Sequence, residues 1–175
     1  MKKTVAGIFV FVVLCGVLAA GSLTYHLYKA SPVELIVYMQ PDDSSGVLRW
    51  SARHAFYAFH PTPAEAAQLS AEAGARYAAT FPVPQQAEAL LKHMIRNGVD
   101  INSVDRASGS GLTALHAVAL RGDAQAVKLL LDAGANPDAT DSAGRTPLQL
   151  IRKAQANGSK TRFAEVEREL SAANS

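Results

Sequence analysis

GLTALHAVALRGDAQAVKLLLDAGANPDATD, Gly111 to Asp141, decides how the rest of the chain is read. Its apolar residues return every three or four positions: Leu115, Val118 and Ala119 before Gly122, then Val127, Leu130 and Leu131 after it. That spacing predicts two helices with one apolar stripe each, packed antiparallel across the break at Gly122. Gly122 and Gly134 stand where the helices must end, and glycine enters the left-handed backbone of such ends without a Cβ penalty. Neither short helix can bury its stripe alone, so the unit needs neighbours on both sides.

The neighbours are written in the sequence. Thr113-Ala114-Leu115 returns as Thr146-Pro147-Leu148, 33 residues on, and Gly111 returns as Gly144 at the same offset. GVDIN at Gly98–Asn102 is echoed by GANPD at Gly134–Asp138 with an offset of 36, because ASGSG lengthens the first loop. A period of 33 residues with this pattern resembles the ankyrin family. The resemblance runs from about Gln85 to Leu170, roughly half of the chain. It implies an all-α fold, a short ankyrin-repeat solenoid of two to three repeats with helical caps; the N-terminal transmembrane helix expected ahead of it is a separate reading, resting on the apolar run Val5 to Leu23. Departures mark the end of the stack. Gln149 stands where a histidine is expected, Gln155 and NGSK replace the turn glycine, and the last helix, FAEVEREL, is charged as a water-facing cap should be.

His116 sits alone in an apolar helix, with no carboxylate, serine or second histidine at a spacing that would make it a base or nucleophile. The resemblance implies that Thr113 and His116 bond each other and nearby backbone across the helix start, a scaffolding role. It also implies a binding surface for a protein partner. The finger-loop contacts are Arg106, Ser108, Ser110 and Leu112, then Ser142, Ala143 and Arg145, and the inner-helix contacts are Leu120, Arg121 and Lys153. Leu112 and Leu120 serve as apolar anchors within a ring of Arg106, Arg121, Arg145 and Lys153, which fits a partner with an acidic rim.

Upstream, the text is harder to read. Leu35 to Met39 is β-prone and is expected to be a strand or an extended tether. GVLRWSARHAFYAF reads as a helix, with Leu48, Ala52, Ala55 and Phe59 at helical spacing and Trp50 expected to be packed. Thr62, Pro63 and Glu65 form a helix start with a capping box, and the helix is expected to reach about Ala79. That start opens either a degenerate first repeat or an N-terminal cap. Gln85 to Arg96 is another helix, ended by Asn97-Gly98.

The N-terminus carries Lys2 and Lys3, then an uncharged apolar run from Val5 to Leu23, close to the roughly 20 residues a helix needs to cross a bilayer. Tyr25, Tyr28 and Lys29 close it as interfacial residues do. Two readings stand: an uncleaved signal anchor, and a cleaved signal peptide with an exit near LAAGS. Both leave the charged end in the cytoplasm and export the rest, so the expected location is the bacterial inner membrane, single-pass, with the C-terminal domain in the periplasm. The expected divisions are 1–29 (signal anchor), 30–61 (tether and helix) and 62–175 (repeat domain with its degenerate cap).

Several chemistries are excluded. A formal charge of +2 with no Lys/Arg run argues against nucleic acid. Cys15 is the only cysteine, preceded by Leu14 rather than a small residue, so neither lipidation, disulfides nor thiolate metal sites are expected. His26, His54, His60 and His93 are scattered without metal-ligand spacing, and Asp42-Asp43 reads as a turn. SGSG at Ser108–Gly111 lacks the Lys-Ser/Thr of a phosphate loop. No catalytic residue, metal or cofactor is expected, although an enzyme built on the helices before residue 80 is excluded by nothing but the lack of a motif. Bacterial proteins resembling this one include immunity proteins against secreted toxins and accessory proteins of periplasmic catalases. Binding of a toxin or a periplasmic enzyme, or scaffolding within the envelope, is therefore the expected function.

Overall fold

The structure is a computed structural model and describes residues 16, 18, 20–41, 45–156 and 161–173. Most of the apolar run, Cys15 and Asp42-Asp43 fall outside the described residues. Among the described residues no helix is long and apolar enough to cross a membrane, and all regular structure is helical apart from one isolated antiparallel bridge, Val104 to Thr113. The chain divides into two compact units, Met1–His60 and Pro61–Ser175.

In the first unit residues 20–29 are helical, followed by α1 (Pro32–Tyr38) and α2 (Gly46–Phe59). The expected strand or tether at Leu35–Met39 is thus corrected: Leu35 to Tyr38 belong to a helix and Met39 caps it. Its cause is a capping box. Ser31 Oγ accepts from Glu34 N at 3.2 Å while Ser31 N donates to Glu34 Oε2 at 2.8 Å, and Pro32 fills the first helical position. Leu35, Ile36 and Met39 are then buried and α1 packs on α2, which buries Ala52, Ala55 and Phe56. Packing outweighs the β preference of Ile36 and Val37. The expected packing of Trp50 is also corrected, for it points away from α1 at 62 % exposure, tilted over His54 with ring centroids 4.0 Å apart. Phe59 is exposed too, edge-on to Tyr28.

The second unit begins with α3 (Pro63–Ala71), opened by the expected capping box between Thr62 and Glu65. The helix does not continue to Ala79. It breaks after Ala71 and resumes as α4 (Ala75–Ala79). Gly74 N donates back to Leu69 O at 2.7 Å, so close that a Cβ on residue 74 would lie 2.7 Å from the same oxygen. Only glycine permits that turn.

Freed from α3, α4 becomes the first helix of a pair with α5 (Pro84–Arg96), and two further pairs follow: α6 (Ala114–Arg121) with α7 (Ala124–Asp132), and α8 (Pro147–Ala156) with α9 (Ala164–Ala173). Helices α4, α6 and α8 neighbour one another in turn, while α7 packs on α4 and α6, and α9 on α7 and α8. Leu90, Leu91 and Met94 of α5, Leu115, Val118 and Ala119 of α6, and Val127 and Leu130 of α7 are buried. Leu131, expected on the same stripe, is half-buried, and Ala126 takes its place inside. Gly122 and Gly134 hold left-handed φ values of 76° and 93° at the ends of α6 and α7. Val166 and Leu170 bring α9 into the core, and its charged face reaches α8 through Glu167, which meets Arg152 Nε at 2.8 Å and Gln155 Nε2 at 3.0 Å. Those hydrogen bonds and the Arg152 charge hold the Glu167 carboxyl below its ordinary pKa, against a smaller effect of burial.

Candidate protein-binding face

Two loops carry most of the expected contact residues, and each is built around one buried aspartate. In the first, Asp105 N donates to Leu112 O at 2.8 Å and Gly111 N to Asp105 O at 2.9 Å, beside the Val104–Thr113 bridge. The Asp105 carboxylate turns inward. It accepts from Ser108 N at 2.9 Å and Ser108 Oγ at 2.6 Å, and pairs with Arg76 Nη1 of α4 at 3.4 Å. Arg106 N and Ala107 N both donate to Ala71 O, which ties the lengthened loop back to the end of α3. In the second loop Asp141 accepts from Ala143 N and Arg145 N, each at 2.9 Å, and from Arg145 Nη2 at 2.7 Å. Burial opposes ionisation at both aspartates. At Asp105 the Ser108 hydrogen bonds and the Arg76 charge outweigh it; at Asp141 the Arg145 bonds and charge, with Ala143 N, do the same. Both carboxyls are held below their ordinary value.

His116 joins the loops to the helices. The Arg145 carbonyl only accepts, so Nε2 donates to it at 2.8 Å, and Nδ1 therefore accepts from the Thr113 hydroxyl at 2.7 Å. This is the scaffolding role expected of Thr113 and His116, with one addition: the histidine reaches forward into the next repeat. The loops also touch directly, since Ser142 N donates to Gly111 O at 2.9 Å. Below them the connections match as well. Asp100 Oδ1 accepts from Asn102 N and Asn136 Oδ1 from Asp138 N, the same turn 36 residues apart, and Asn102 Oδ1 accepts from Asn136 N between them.

Among the expected contacts, Arg106, Ser108, Ser110, Arg121, Ser142, Ala143 and Lys153 are exposed, while Leu112, Leu120 and Arg145 are half-buried. Three of these polar groups are engaged inside the loops. The Ser108 hydroxyl serves Asp105 and accepts from Ser110 N, the Ser110 hydroxyl accepts from Leu112 N, and the Arg145 guanidinium lies on Asp141. Asp105, Asp141 and Arg76 were not singled out by sequence. The signal for the two aspartates lies in their 36-residue offset, the one shown by GVDIN and GANPD. Arg76 has no such signal, because its partner is 29 residues away. A separate groove of about 420 Å³ opens between the first turn of α5 and the length of α7, lined by Pro84, Gln85, Asp123, Lys128 and Leu129 among others and by none of the expected contacts. Among the described residues no cluster of histidine, cysteine or acidic side chains is arranged to hold a metal.

Comparison with known proteins agrees with this geometry. A family model described as ankyrin repeats (3 copies) matches residues 77–157. Related stretches occur in a potassium channel of Oryza sativa subsp. japonica (37% identical over 90 residues, 51% of this chain and 10% of the channel), a tyrosine-protein kinase of Hydra vulgaris (43% over 61 residues, 35% of this chain and 8% of the kinase) and the mitochondrial disaggregase of Bos taurus (41% over 68 residues, 37% of this chain and 10% of the disaggregase). The chain thus spans about a tenth of the length of these relatives. No solved structure gives a significant match. Residues 77–157 are similar to ankyrin repeats, a module for protein–protein interaction that is generally not catalytic. The three relatives carry names of different activities, and each is matched over 90 residues or fewer.

Proposed function

We propose that this chain is a membrane-anchored, periplasm-facing module of the bacterial inner membrane that captures one protein partner through its two loops and the adjoining ends of α6 and α8. One observation carries the reading: both loops are locked by buried carboxylates and joined through Ser142 and Gly111, so Arg106, Arg121 and Lys153 are displayed from a frame that need not order on binding. The anchor is supported by Lys2, Lys3 and the apolar run Val5–Leu23. The chain is then organised as anchor (1–29), helical connector (30–61) and repeat domain (62–175). Such an anchor favours an immunity protein, held where an exported antibacterial toxin acts; the alternative is an accessory or scaffold protein for a periplasmic enzyme such as a catalase.

The test is capture by full-length protein in detergent, with partners identified by mass spectrometry. A stoichiometric toxin supports the immunity role and a resident enzyme the accessory role. Arg106→Glu with Arg121→Glu is expected to abolish capture without changing the melting temperature. Arg145 is left untouched, because a glutamate there would face the buried carboxylate of Asp141. Undiminished capture by the double variant sinks the proposed face.

A further inference from the structure

Helix α2 is apolar on two opposite sides. Ala52, Ala55 and Phe56 are buried toward α1. Val47, Trp50, His54 and Tyr57 follow one another at three- and four-residue steps along the other side, with Ala58 four residues beyond His54, and Val47 is 69 % and Trp50 62 % exposed. A helix with one packed face ordinarily turns a charged face to water. This outer stripe is instead aromatic and apolar, flanked by Arg53, and no carboxylate occurs between Gly46 and Phe59. The same unit exposes Tyr25, Tyr28 and Tyr38.

We infer that the outer face of α2 lies in the headgroup region of an anionic phospholipid membrane, with Trp50 as its anchor, as a second lipid contact beyond the span. The inference rests on the anchoring reading above. Two observations select lipid over a protein partner. The apolar run Val5–Leu23 ends just ahead of Tyr25, which holds this unit at a bilayer surface, whatever partner the loops engage. The charge beside this outer face has one sign: Arg53 is exposed there with no carboxylate on the helix, which complements anionic headgroups, while Arg49 is half-buried and donates to the Pro41 carbonyl. Indole and phenol rings with guanidinium groups beside them also have the amphipathic form that the membrane–water boundary favours.

Trp50 is the only tryptophan, so it reports on its own surroundings. Full-length protein is incorporated into phosphatidylethanolamine–phosphatidylglycerol vesicles, recovered by flotation and read by fluorescence. The expected result is emission blue-shifted from that of the urea-unfolded chain. It is quenched more by lipids brominated near the headgroup than by lipids brominated near the chain end, and poorly by acrylamide. In Val47→Asp with Arg53→Glu, at unchanged helical content, quenching by the brominated lipids falls and quenching by acrylamide rises. Protein that floats with Trp50 open to acrylamide and untouched by bromine overturns the inference and leaves the anchor standing. Emission shielded from both quenchers assigns the face to protein and overturns it too. Protein that fails to float overturns the anchor and the inference together.

Discussion

The carbonyl oxygen of Arg145 has two lone pairs, and both are used: one by Asp141 N, the other by His116 Nε2 from the preceding repeat. The second bond requires a proton on Nε2, while the Thr113 hydroxyl donating to Nδ1 requires the neutral ring, and burial pushes the His116 pKa below 6.5, against the Arg145 hydrogen bond and the Asp141 charge. The unfolded chain therefore takes up a proton that the folded chain resists. Stability from this group is complete above 6.5 and is lost as pH falls from there through the folded-state pKa. Urea unfolding followed across that interval is expected to show the loss. His116→Gln should flatten it, while costing about 1–3 kcal/mol at neutral pH because the Arg145 carbonyl loses its inward partner. The aspartates have a lower window. Their folded pKa values lie below 3.8, so their contribution is present above 3.8 and disappears as pH drops through those lower values. Asp141→Asn is expected to cost about 2 kcal/mol, the scale of hydrogen bonds to a charged group, and to soften the acid limb of the same unfolding series.

Gly111 and Gly144 occupy equivalent places in the two loops, with φ of 64° and 75°. A side chain meets very different surroundings at each. A Cβ on residue 111 would lie 2.5 Å from Ser142 Cβ and closer still to its hydroxyl, whereas nothing lies within 4 Å at residue 144. Gly144→Ala should therefore cost only the roughly 1–2 kcal/mol of a left-handed alanine. Gly111→Ala should cost more and break the Ser142–Gly111 hydrogen bond, which amide exchange at Ser142 will read directly. Elements whose boundaries depend on local chemistry could be read from the chain alone. Helices α5 to α7 and their glycine ends follow from periodicity, and the start of α3 from Thr62-Pro63 and Glu65. Those decided at a distance could not, and the break of α3, though local, was hidden. Alanine-rich sequence keeps its helix propensity through Glu72 and Ala73, and only the turn of Gly74 N back to Leu69 O, five residues away, ends the helix. Helix α1 was legible in Ser31-Pro32 and Glu34, but Ile36 and Val37 outweighed that signal until α2 supplied a packing surface. The exposed loop residues were legible from the repeat period; that Ser108, Ser110 and Arg145 hold the loops from within depends on where the two aspartates point.

At the scale of the whole molecule, α9 is the last helix of the repeat stack among the described residues. Removing residues 161–175 strips Phe163, Val166 and Leu170 from the core. At about 1.5–3 kcal/mol for each buried side chain, on the order of 5 kcal/mol is lost, comparable to the whole stability of a small domain. Calorimetry of the shortened chain should show a broad or absent unfolding transition in place of a cooperative one. The stack also has a direction. His116 reaches forward to hold the loop that follows, but Gln149, at the corresponding place in the last pair, folds back so that its Oε1 accepts from Thr146 N at 3.0 Å. Tandem duplication can therefore lengthen this rod only from within. A copy of the 33-residue Thr113–Arg145 segment inserted ahead of Thr146 brings its own histidine and its own Arg145 carbonyl for the next joint, whereas one appended beyond α9 meets Gln149 of α8, which has no such hand to offer.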